Sequence, residues 1–165
     1  MKKILSAVLL AALLMSLATC AFAATGLGVV TTLTNTSATA EKDGSVSSYT
    51  FMCAVSLDDE GKIESVTFDA LQTKGTFNTA GELTCDAAME PQTKVEIGDG
   101  YGMRKASPIG KEWFEQMAAF EAWCVGKTVE EVVAGAADDV DLKAGCTVGI
   151  ESQLVALQKA AAAAK

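Results

Sequence analysis

The stretch SYTFMCAVSL, residues 48–57, places Tyr49, Phe51, Cys53, Val55 and Leu57 at every second position. Side chains at that spacing share one face of a β-strand, so this segment can bury one face and wet the other. KIESVTFDAL repeats the pattern with Val66, Phe68 and Ala70. Between and around these runs lie KDGS at 42–45, DDEG at 58–61 and TAGE at 79–82, each a glycine among polar residues. That is the chemistry of a tight reversal, and an apolar residue restarts after each, at Val46, Ile63 and Leu83. The earlier VVTTLTNTSATA is rich in β-branched residues and reads as the first strand. Residues 26–84 are therefore expected to form an antiparallel β-meander.

The pattern changes near Pro91. Trp113, Met117, Phe120 and Cys124 stand at i, i+4, i+7 and i+11, one stripe of a helix. Ser107-Pro108 offers a start for that helix and Gly126 a stop. Thr128 followed by Glu131 is a capping-box pattern for a second helix. GAADDVDLKAG reads as a loop, and ESQLVALQKAAAAAK as a closing helix with Leu154 and Leu157 facing inward. The expected fold class is α+β, an antiparallel sheet packed against helices on one face.

The chain opens on Met1, Lys2 and Lys3, then a short apolar run and small residues, the pattern of a secretory signal peptide. Ala21-Phe22-Ala23 provides one cleavage site. Leu17-Ala18-Thr19-Cys20 is a competing, lipobox-like site that would leave an acylated Cys20. We take residues 1–23 as the signal peptide and 24–165 as one exported domain. Its 142 residues suffice for a core of its own. Losing Lys2 and Lys3 leaves 11 basic residues against 21 acidic, which argues against nucleic acid as a partner. On this reading a membrane is reached only through a lipid on Cys20.

Cys53, Cys85, Cys124 and Cys146 remain, without a CxxC pair, and read either as buried thiols or as two disulfides. Histidine is absent, which removes Ser-His-Asp and Cys-His nucleophilic sites and most zinc or copper centres. GKT at 126–128 imitates the end of a phosphate loop, but Glu121 stands where that motif needs glycine. Asp138, Asp139 and Asp141 lack calcium-loop spacing and read as a solvated acidic loop. Tyr101, Arg104, Lys105 and Lys111 gather basic and aromatic groups on the glycine-rich approach to a helix, in an otherwise acidic chain.

DLKAGCT before the last helix resembles the flavin-attachment signature of the FMN-binding domain family. Asp141, Gly145 and Thr147 match it, while Ala144 and Cys146 depart from it. The resemblance implies that Thr147 carries FMN through a phosphodiester bond made by a separate flavin transferase, with Gly145 giving the phosphate room. Helix-terminal N–H groups would stabilise the charge. Longer stretches, among them SLDDEGKIESVTFDA and GDGYGMRKASPIGKEWFEQMAAFEAWCVGKTVEEV, resemble exported bacterial lipoproteins of the membrane-anchored immunogen type, distantly related to the same fold. Cofactor-site residues expected from this likeness are Thr147, Gly145 and Asp141, with Tyr101, Lys111 and Trp113 around the ring and phosphate.

Two functions follow. One is a flavin carrier in extracytoplasmic electron transfer, working with a membrane redox partner. The other is a binding or structural module of the cell envelope that holds no cofactor. In neither is a stand-alone catalytic site visible. A weaker third reading makes Cys146 a redox-sensing thiol, activated by a helix N-terminus.

Overall fold

The computed structural model describes residues 23–86, 88 and 90–165. The segment expected to be a signal peptide, apart from Ala23, and the Cys20 site fall outside the described residues. Three antiparallel strands run in sequence order, β1 (Ala24–Thr36), β2 (Gly44–Leu57) and β3 (Ile63–Phe77). Five α-helices follow among the described residues, α1 (Lys94–Ile97), α2 (Trp113–Cys124), α3 (Val129–Gly135), α4 (Val140–Gly145) and α5 (Glu151–Ala163), with 3-10 turns at Gly98–Tyr101 and Met103–Lys105. The α+β architecture expected from the sequence is the one observed.

The turns form where polar side chains can replace the backbone partners that the strands lose. Asp58 Oδ1 accepts from the N–H groups of Glu60 and Lys62, and Asn78 Oδ1 accepts from those of Ala80 and Glu82. Gly61 and Gly81 take positive φ, 76° and 82°, which a side chain would disfavour. The meander is shorter than the alternation implies. Leu83 makes a single bridge to Phe77 and opens no fourth strand.

Register carries the alternation across the sheet. Gly28 pairs with Cys53 and Cys53 with Phe68, so these residues share the helix-facing side. On that side Cys53, Val55, Val66, Phe68 and Ala70 are buried. The expected stripe of α2 meets them: Trp113, Met117, Phe120 and Cys124 are buried, and the Phe68 and Phe120 rings stack with centroids 4.9 Å apart. Burial of each such ring is worth roughly 1.5–3 kcal/mol. The helix starts later than expected, at Trp113. Residues 106–112 stay irregular because Glu112, not Ser107, supplies the capping box with Glu115. The Thr128–Glu131 capping box of α3 is present as expected.

The exposed edge of β3 is covered piecemeal. Lys127 O accepts from Ile63 N, Glu121 Oε1 from Phe68 N at 2.7 Å, and Thr93 bridges Leu71. Loops and a helix side chain thus occupy backbone groups that would otherwise invite another strand. Burial lifts the Glu121 carboxyl above its ordinary range, and the Phe68 N–H only partly offsets this.

Candidate functional site

DLKAG at 141–145, expected as loop, is helical. Asp139 caps α4 through a 2.8 Å bond from Leu142 N, so Asp141, Lys143 and Gly145 lie on a short helix. Residues 146–150 then cross to α5 without regular structure. The Asp139 carboxyl is held below its usual range, first by that Leu142 N–H.

Gln116 organises this crossing. It is buried among the apolar residues of α2, and its Oε1 accepts from Thr147 N at 2.8 Å, Val148 N at 3.2 Å and Thr147 Oγ1 at 3.1 Å. Its Nε2 donates to Ser107 Oγ and to Lys111 O, each at 3.2 Å. One amide therefore clamps residues 147–148 to residues 107–111. Beside it the buried Glu112 carboxylate accepts from Met103 N at 2.8 Å and Arg104 N at 2.9 Å. Arg104 in turn holds Asp99 at 2.7 Å and Glu115 at 2.9 Å. The approach to α2 is consequently a fixed surface.

Within this frame Thr147 is exposed, with its hydroxyl donating to Gln116. Lys111 lies near enough to Cys146 that its positive charge favours the thiolate. Gln116 brings the main chain of Lys111 and that of Thr147 to one amide. Asp141 is exposed in the first turn of α4. Gly145 has a different use from the one the resemblance implies: a Cβ there would sit 2.9 Å from Ala119 Cβ. Its missing side chain lets α4 rest on α2. Tyr101 and Trp113 do converge, but round the Lys94 ammonium.

The four cysteines of residues 24–165 are free thiols, three of them buried. Cys146 is not at a helix N-terminus. It follows the C-terminal turn of α4, where the helix dipole disfavours a thiolate, and burial raises its pKa. This removes the basis for an activated redox-sensing thiol. No cluster of metal ligands occurs among the described residues.

Sequence reasoning passed over Gln116, Glu112 and Lys94. A signal existed for the first: Gln116 stands between Trp113 and Phe120 on the apolar stripe, and a polar residue there must find partners once buried. Thr93 and Glu96 form the capping box of α1, a pattern visible in the sequence.

No family model and no solved structure matches the chain. A 91-residue stretch is 36% identical to the chlorophenol reductase of Desulfitobacterium hafniense, covering 48% of this chain and 28% of that protein. The chain thus spans less than a third of the length of the curated relative it matches.

Proposed function

We propose that this protein is an exported flavin carrier, with Thr147 as the attachment point of an FMN phosphate. The observation that carries this reading is the exposed Thr147 hydroxyl on a segment immobilised by Gln116, whose amide also binds the main chain of Lys111. An ester at Thr147 needs a hydroxyl that a transferase can reach, a backbone that holds still, and a positive charge to balance the phosphate. Thr147, Gln116 and Lys111 supply these in turn. FMN, when bound, would supply the redox chemistry, and the protein's part would be to hold and orient it. The similarity to a protein named a reductase supports a redox setting. On this reading a membrane redox partner and a flavin transferase belong to the same system.

A second reading, a cofactor-free module of the cell envelope, draws on Gly145. Ala119 fills the space that the attachment signature would keep for the phosphate. Intact mass of the protein from its native host separates the two. A flavin carrier has the mass of the mature chain plus one FMN less one water, and Thr147→Val loses that increment while remaining folded. An unmodified wild-type mass, with no FMN binding on titration, establishes the cofactor-free module.

A further inference from the structure

Lys94 is 5% exposed and sits in the first turn of α1. Its Nζ lies over three rings, 4.5 Å from the Tyr101 centroid, 4.9 Å from Tyr49 and 5.1 Å from Trp113. Among the described residues no carboxylate forms an ion pair with it and no oxygen accepts a hydrogen bond from it. Ring faces attract an ammonium by about 0.5–2 kcal/mol each, yet they satisfy none of its three N–H donors strongly. Among the described residues no fully buried side-chain nitrogen lacks a hydrogen-bond partner, so the Lys94 ammonium still reaches solvent past the rings. Its N–H donors are therefore open to a ligand from that side.

The space for a partner adjoins it. A cavity of about 550 Å³ lies between the end of β3, the segment after Leu83 and α1. Lys94 and Tyr101 belong both to the cage and to the wall of this cavity. Gln72, Lys74 and Gln92 add amide and ammonium donors to the wall, and Asp86 is its one acidic residue. The Asp86 carboxylate already accepts from Ala88 N at 2.9 Å. Two lysines against one aspartate make the lining cationic, in a chain whose net charge is −8. The volume suits a small organic molecule.

We propose that this cavity is a binding site for a small organic anion, whose carboxylate or phosphate oxygens pair with the Lys94 ammonium. Tyr101 provides an aromatic wall for the organic part, and Lys74 a second positive charge. The site is separate from the proposed attachment point, since Thr147, Gly145 and Lys111 do not line it, and it takes Tyr101, expected beside a flavin ring, for its own wall.

The test uses the full chain in a Trp123→Phe background, which leaves Trp113, a member of the cage, as the fluorescent reporter. Trp123 stacks near Phe120 and lies outside the cavity wall. Benzoate and inorganic phosphate are titrated separately at constant ionic strength set with chloride. Saturable change with benzoate identifies an organic carboxylate site, and change with phosphate alone a phosphate site. Either supports the proposal if Lys94→Met weakens binding about 10- to 100-fold, the scale of a charged hydrogen bond. Lys74→Met lies outside the cage and weakens it by a smaller factor. No saturable response to either anion overturns the proposal, as does equal affinity in Lys94→Met. Should Lys94→Met fail to fold, Lys74→Met decides: unchanged affinity overturns the site and weakened affinity supports it.

Discussion

Gln116 spends one side chain on two segments far apart in the chain. Replacing it by leucine keeps the apolar bulk but strips acceptors from Thr147 N and Val148 N and a donor from Ser107 and Lys111. Buried groups left unpaired cost about 1–3 kcal/mol each, and solvent will reach some of these. Gln116→Leu is expected to lower stability by about 2–4 kcal/mol in urea titration and to speed amide exchange at Thr147 and Val148. Normal exchange there would show that the crossing is held by something else. Gly145 makes a separate residue-level case. Gly145→Ala sets a Cβ 2.9 Å from Ala119 Cβ and should cost about 1–2 kcal/mol. Ala119→Gly in the same chain should return much of that loss, a coupling that a double-mutant cycle reads directly. Simple addition of the two costs would place the strain elsewhere. Gln116 was readable as a misfit on an apolar stripe. Gly145 was not, because a glycine within a matching motif gives no hint that a methyl group on another helix fills its space.

At the scale of elements, the sheet was legible and its partners less so. Alternation fixes which strand faces are buried, and glycine turns fix where strands reverse. The late start of α2 was hidden because Ser107-Pro108 is itself a good helix opening. What decides the boundary is a carboxylate at Glu112 that caps its own helix and also binds Met103 N and Arg104 N. The helix α4 was hidden by its polar sequence and brevity. The least legible contact joins β1 to α5. Gly26 and Gly28 lie so close to this helix that a Cβ on either would run into the carbonyl oxygen of Ala160 or Ala156. Ala156 and Ala160 are fully buried there, Ala164 N also lies against Gly26, and Lys165 exchanges main-chain hydrogen bonds with Thr25, so the terminal segment follows the strand to its end. The obstacle at Gly28 is main chain, which has no alternative rotamer. Gly28→Ala should therefore cost about 3 kcal/mol or more, well beyond the roughly 1 kcal/mol tolerance of an ordinary surface strand site. Urea denaturation followed by far-UV circular dichroism tests this. A loss below about 1 kcal/mol would mean that α5 can lift from β1 without disturbing the core.

The molecule as a whole joins its sheet and helices through thiols as well as rings. Cys53 comes from β2 and Cys124 from α2, both are buried, and burial pushes each from an ordinary 9.0 up to about 12. Unfolding returns them to water, where they ionise near 9.0. Between those values the folded protein holds protons that the unfolded chain releases. Stability therefore falls as pH rises through this window, by up to about 1.4 kcal/mol per pH unit for each thiol. The acidic surface adds self-repulsion of the same sign, so the thiol share must be isolated by substitution. Urea midpoints measured from pH 8 to about 11 should decline more steeply for the wild type than for Cys53→Ala/Cys124→Ala. The substituted protein starts lower, because two small buried groups are lost, but its curve is flatter. Equal slopes would mean that neither thiol is desolvated in the folded state. Alkylation gives an independent check on the same geometry. In residues 24–165 the half-buried Cys85 should react first at neutral pH, while Cys53 and Cys124 should label only at the rate of unfolding. Rapid labelling of Cys124 without unfolding would mean that α2 separates from the sheet on its own, and the core would then be two cooperative units instead of one.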